Sequence, residues 1–315
     1  MIDPVTLAAS IETFKARANT SRRASPRSTL DAVTVPGSPS SRSPLGTAVT
    51  SSAYWDGVSE RIAGGYYHDA IVGGLKRDAH LRLIQRWCGD LAGARVLKTD
   101  LFEEAHGPDQ FLFDLVTSRL RLGIDISPLI ARRAAERALA GAGPPPRCLA
   151  ADVLALPFPA DAFDVILSNS TLDHFPDLRL IDAALGELYR VLKPGGVLVV
   201  TLDNPHSLSM LVGAFKRVLR PDPFFLGRTL SRRQLAASLR RIGYEVHDTT
   251  AILHGLENHL SAAMDAAQRV GGARLCRAIG AGLRHLEKLE AAPTRYLTGA
   301  FVAARAVKPW PARGH

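Results

Sequence analysis

Cysteine is scarce in this chain and unsuited to cross-linking or metal binding. Cys88, Cys148 and Cys276 are the only three in 315 residues, an odd number without CxxC spacing. That pattern argues against a disulfide or zinc framework and predicts a reducing, cytoplasmic setting. Aromatic residues make up only 6% and do not interleave with a basic stripe. The net charge of +9 therefore reads as ordinary surface charge, and a nucleic-acid partner is not expected. No apolar run approaches the roughly 20 residues of a membrane span, and no secretory leader pattern opens the chain. GxSxG is missing, which argues against a nucleophile-elbow hydrolase. GxGxxG is missing too, which disfavours a nicotinamide-dependent dehydrogenase. His254 and His259 lack the i, i+4 spacing of a helical metal pair, so no metal is expected.

What is present suffices for a large core, since 46% of the residues are apolar. Residues 1–52 are rich in Ser, Pro, Thr and Arg, and from Thr20 to Ser52 the only acid is Asp31. Such a segment buries too little to offset its ordering entropy. We expect a disordered basic arm over 1–52 and one folded domain over 53–315. The arm also has the acid-poor character of a transit peptide, although the Ala/Arg/Gly bias of the whole chain favours a plain flexible extension.

Inside the folded part, 163–167 and 197–202 are short, β-branched apolar runs bounded by turn formers, as strands buried on both faces read. Between them Leu178, Ile181, Leu185, Leu188 and Leu192 fall at helical spacing, and Lys193-Pro-Gly-Gly196 is expected to stop that helix. Strand, crossover helix and strand make a right-handed βαβ unit. An apolar stripe over 79–91 predicts a helix covering the sheet. The segment before it, 63–75, has two Gly pairs, two tyrosines and His68, and reads either as a lid over a ligand or as a Gly-rich connector with core aromatics. Ser231-Arg-Arg-Gln234 is a capping box opening a helix that Gly243 ends.

In its residues the unit resembles the second half of a class I S-adenosylmethionine-dependent methyltransferase of the small-molecule type. Leu156-Pro-Phe-Pro159, Phe163-Asp164, Ser168-Asn169 and Leu192-Lys-Pro-Gly-Gly196 occur in that family's order and spacing. The resemblance runs from about Ala94 to Gly243. It implies an α/β, doubly wound, seven-stranded Rossmann-like sheet, with five parallel strands, a sixth, and an antiparallel seventh near Phe301. It implies S-adenosyl-L-methionine as cofactor and methyl transfer to a small-molecule acceptor through oxygen, nitrogen or carbon. Insertions near 205–230 and 255–292 would line the acceptor pocket, and the second would pack over it or against a partner subunit in a homodimer.

Residue by residue, Asp125 in Leu122-Gly-Ile-Asp125-Ile-Ser-Pro128 resembles the acid that accepts both ribose hydroxyls, with Ile126 beside it. Ser127 and Pro128 then open a helix. Asp152 resembles the acid that bonds the adenine amino group, with Val153 alongside, and otherwise reads as a turn residue. Asn169 ends the fourth strand at the cofactor edge. The departure lies after the first strand, expected over 95–101. Where the family has a GxGxG-like loop, this chain has Val96-Leu-Lys-Thr-Asp100-Leu-Phe-Glu-Glu-Ala-His-Gly107. Lys98 occupies the usual place of an acid, Asp100 stands two residues on and on the same strand face, and Gly107 is the only glycine near. Asp100 is expected to replace that acid. If the loop has lost the cofactor, the chain is instead an inactive binding or scaffold protein of the same fold. After the fourth strand, Asp173-His174 offers His174 as a general base for an acceptor hydroxyl, or as a cap of the next helix.

Overall fold

A computed structural model describes residues 50–62, 70–141, 143–219, 225–255 and 260–311. Of the basic arm expected over 1–52, residues 1–49 lie outside them, as do residues 63–69 of the expected lid and His259, while Ser52 already opens a helix. A seven-stranded sheet organises the rest, in the order β3-β2-β1-β4-β5-β7-β6. Its strands are β1 (Arg95–Lys98), β2 (Leu120–Asp125), β3 (Arg147–Ala150), β4 (Phe163–Asn169), β5 (Leu192–Asp203), β6 (Glu245–His254) and β7 (Gly299–Val307). β1 to β5 pair in parallel, and β7 pairs antiparallel with both β5 and β6. This is the Rossmann-like arrangement that the residue pattern implied, antiparallel seventh strand included.

The helices of the described residues are α1 (Ser52–Ile62), α2 (Ala70–Cys88), α3 (Phe102–His106), α4 (Pro128–Ala140), α5 (Leu178–Val191), α6 (Leu208–Leu219), α7 (Arg232–Ile242), α8 (Ser261–Leu286) and α9 (Arg295–Thr298). Local chemistry explains their ends. Ser127 accepts from Ile130 N and Pro128 follows it, so α4 starts there. Asp177 caps α5 through Leu180 N. The capping box of Ser231 and Gln234 opens α7, and Gly243 closes it with φ 115°. α8 bends at Gly272.

Strand alternation divides the core into two layers. Leu97, Ile166, Leu198 and Val200 pack with Ile181, Leu185 and Leu188 of α5. Val96, Val165, Leu167 and Val199 face the other way, toward Leu83, Ile84 and Trp87 of α2. Each such side chain contributes about 1.5–3 kcal/mol on burial. α8 sets Met264, Ala267 and Cys276 against Val72 of α2, so part of the second insertion covers the α2 layer of this same chain. Two boundaries differ from expectation. β1 stops at Lys98 rather than near residue 101, because Asp100 accepts from Phe102 N and turns the chain into α3. Lys193–Gly196 belongs to β5 rather than to a free turn, since Gly195 N donates to Lys308 O and Lys308 N to Gly196 O.

Candidate active site

In open α/β sheets ligands bind outside the carboxyl ends of the strands, where the order reverses. Here that place lies between β1 and β4, and most of the polar residues singled out above are found along this edge. Asp125 ends β2 and is buried. Its Oδ2 accepts from Leu101 N at 3.2 Å and its Oδ1 from Ser127 N at 2.9 Å. Burial first, and the neighbouring Asp100 charge second, push its pKa up to about 7. Ile126 is half-buried between it and the helix cap. At the end of β3, Asp152 accepts from Leu154 N at 2.9 Å, and the adjacent Val153 is buried in the α5 layer. Asn169 ends β4, and its buried Oδ1 has no partner. Unpaired buried acceptors are rare in folded proteins, so this one calls for a donor.

The glycine-poor loop is built on charge. Lys98 is completely buried on the face of β1 that also carries Val96, and it lies over the Phe111 ring. Its ammonium donates to Glu104 Oε2 at 2.7 Å and to Asp100 O at 2.5 Å, with Asp100 Oδ2 at 3.4 Å. Burial opposes the charged form, but the Glu104 and Asp100 carboxylates outweigh it and hold the lysine pKa at about 12. Glu104 takes Leu112 N on its other oxygen at 3.2 Å. Glu103 meets Lys76 of α2 at 2.5 Å, and Asp109 meets the same lysine at 3.1 Å. Gly123 of β2 makes room for this loop, because a Cβ there would lie 2.3 Å from Leu101 Cδ2.

Gly107 is not brought to the strand ends. It closes α3, where a Cβ would stand 2.0 Å from Glu103 Oε2 and 2.6 Å from Asp109 Oδ1. Its carbonyl accepts from Arg137, which also bonds the carbonyls of Glu103 and Glu104.

Helix α1 crosses the edge from β2 to β4. Asp56 accepts from Ser127 Oγ and from Leu129 N. Trp55 lies edge-on to the His174 ring, with centroids 4.8 Å apart. Tyr54 OH accepts from Phe225 N at 2.7 Å. His174 ends the short 3-10 turn Leu172–His174 rather than capping α5, where Asp177 serves. Its Nδ1 is 2.7 Å from Phe225 O, and because a carbonyl only accepts, that nitrogen carries the proton. Asp173 beside it is buried and accepts from Ser170 Oγ and Asp203 N. Sequence reasoning missed α1 as the cover and both lysine–glutamate pairs. The Tyr54-Trp55 pair was the signal for the first, and a lone lysine inside an apolar strand for the second.

His254 is a core residue, bonded to Ala251 O and Thr298 Oγ1. Among the described residues no group of three His, Cys, Asp or Glu side chains is arranged to hold a metal ion, and no helix is long and apolar enough to cross a membrane.

A family profile described as a methyltransferase domain matches residues 107–200. Over those residues the chain is similar to class I S-adenosylmethionine-dependent methyltransferases. The match starts at the glycine that ends the anomalous loop. A demethylmenaquinone methyltransferase of Thermus thermophilus is 49% identical over 111 residues, 34% of this chain and 47% of that protein. A malonyl-[acyl-carrier protein] O-methyltransferase of Halorhodospira halophila is 36% identical over 99 residues, 30% of each chain. The chain thus spans less than half the length of either relative. Among solved structures, a Thermotoga maritima protein described as a possible histamine N-methyltransferase superposes with a TM-score of 0.54, at 21% identity over 80% of this chain and 99% of that one. At that identity the likeness speaks for the fold alone.

Proposed function

We propose that this chain transfers the methyl group of S-adenosylmethionine to a small-molecule acceptor. The observation that carries the reading is the line of acceptors along one strand edge: Asp100, Asp125, Asp152 and the unpartnered Asn169 Oδ1. The cofactor presents ribose hydroxyls, an adenine amino group and an ammonium, all donors. Asp125 suits the ribose, since each of its oxygens keeps a lone pair beyond its single backbone bond. Asp152 and Val153 suit the adenine, and Asn169 and Asp100 the ammonium. The missing glycines are no bar, because Glu103 and Glu104 turn to buried lysines. Gly107 is left out of the cofactor set for the reason given above.

Bound S-adenosylmethionine supplies an electrophilic methyl on a sulfonium, so the protein's task is chiefly to orient and to exclude water. α1 shields the edge through Asp56 and Tyr54. His174, with its Nδ1 proton committed to Phe225 O, accepts the acceptor's proton on Nε2. The two relatives are named for different acceptors, a demethylmenaquinone and a malonyl-carrier conjugate, so we place the acceptor no more finely than a small molecule with an oxygen, nitrogen or carbon nucleophile. A scaffold without cofactor is the competing reading, motivated by the charge-filled loop.

The test is transfer of isotopically labelled methyl from S-adenosylmethionine into small-molecule extracts by the whole chain. Label should enter one compound class, and His174→Gln should lower the rate about a hundredfold or more without changing binding of S-adenosylhomocysteine. Absence of both transfer and binding would leave the scaffold reading.

A further inference from the structure

Two adjacent acids in a loop that must receive a ligand carrying its own carboxylate pose an electrostatic problem. Glu104 stands where the family resemblance puts a glycine, and Glu103 precedes it. Free carboxylates there would repel the methionine carboxylate of the cofactor. Both are instead buried, and each is seated on an ammonium group from a different element. Lys98 comes from β1 and Lys76 from α2.

We propose that Lys98 and Lys76 are positioning residues of the cofactor loop, holding Glu104 and Glu103 off the binding edge so that a loop without glycines can still receive the cofactor. The proposal rests on the cofactor reading above and deepens it. Lys98 contacts the loop at two of the former glycine positions, through Asp100 O and Glu104 Oε2. Glu104 then spends its second oxygen on Leu112 N, which ties it to the segment beneath the loop. Lys98 points into the α2 layer, as the shared face with Val96 requires, so its pairing draws Glu104 the same way. On the second pair, Lys76 bridges Glu103 and Asp109. Gly107 leaves the space that Glu103 Oε2 fills. The glycine retained in the motif thus serves the acid rather than the ligand.

The experiment titrates S-adenosylhomocysteine into the full chain by calorimetry and follows hydrogen exchange of amides 101–107 without ligand. Lys98→Met alone should weaken binding by about tenfold or more, because Glu104 is released as an unpaired charge. Lys98→Met/Glu104→Gln should return affinity to within about threefold of wild type, since the charge that needed holding is gone. A double variant as weak as the single, or a single variant as tight as wild type, overturns the proposal. Where Lys98→Met does not fold, the double variant decides: within about threefold of wild type supports the proposal, and about tenfold weaker overturns it. A wild type that binds neither the cofactor nor its product sinks the proposed function instead. The positioning claim is then decided by exchange. It stands if 101–107 exchange about tenfold faster in Lys98→Met and recover in the double variant, and falls if they do not change.

Discussion

The ends of β1 and β2 lie side by side at the same edge, yet they are built on opposite principles. At β2 the chain uses backbone geometry. Asp125 collects two N–H groups, Ser127 caps α4, and Gly123 lets Leu101 pack close. At β1 it uses charge, with Lys98 and Glu104 fully buried against each other and Lys76 holding Glu103. A small set of residue types can form the first arrangement, so it is recognisable from sequence. The second is a choice among many ways to fill a loop.

The contrast is broken most severely at the lysine. Lys98→Met strands a buried carboxylate, and losing one partner of a buried pair costs about 3–5 kcal/mol. Chemical denaturation should show that loss, whereas an apolar replacement of both partners should cost far less. A Lys98→Met protein as stable as wild type would mean that the β1 end does not depend on the pair.

At the β2 end the largest effect should fall on binding rather than on folding. If Asp125 holds the ribose as proposed, Asp125→Ala removes a charged acceptor worth roughly 1.5–3 kcal/mol, or about ten- to a hundredfold in affinity. Equal affinity in a folded variant would place the ribose elsewhere.

The pH dependence sharpens the comparison. Asp125, with its pKa pushed up from 3.8 to about 7, is a raised acid. Its contribution to stability is greatest below its unfolded pKa and is lost as the pH rises toward 7. Binding that needs the carboxylate runs the other way. Between about pH 6 and pH 8 the ionised fraction rises roughly tenfold, so affinity for S-adenosylhomocysteine should rise about tenfold, and Asp125→Asn should flatten the profile. Lys98, with its pKa at about 12, stays charged across that window.

The smallest effect belongs to the helix cap. Ser127→Ala removes the acceptor for Ile130 N and the donor to Asp56, and should cost about 1 kcal/mol by thermal denaturation. A loss several times larger would show that the α1 contact contributes more than the cap.

The sheet was legible because its signals are periodic and local. The β-branched runs of β4 and β5, the leucine spacing of α5 and the caps at Ser127, Ser231 and Gly243 each act within a few residues. That Asp125, Asp152 and Asn169 would fall at or just after strand ends was legible for the same reason. The lysine–glutamate pairs were not, because Lys76 and Glu103 lie 27 positions apart and only the packing of α2 joins them. The surroundings of Gly107 were not legible either. Its place in the motif resembles a ligand loop, while the chain turns so that the space beside it is taken by the Glu103 and Asp109 carboxylates. Helix α1 meets this edge through Tyr54, Trp55 and Asp56, contacts that no local pattern in the sequence announces.

The central claim is that a loop lacking glycine still holds S-adenosylmethionine, and calorimetric titration of the wild-type chain with that cofactor tests it most directly. Saturable one-to-one binding well below millimolar is expected, weakened about tenfold by Asp100→Asn, as loss of one charged acceptor would give. No heat of binding at millimolar cofactor would contradict it, and the charge-filled loop would then mark a methyltransferase fold that has given up its cofactor.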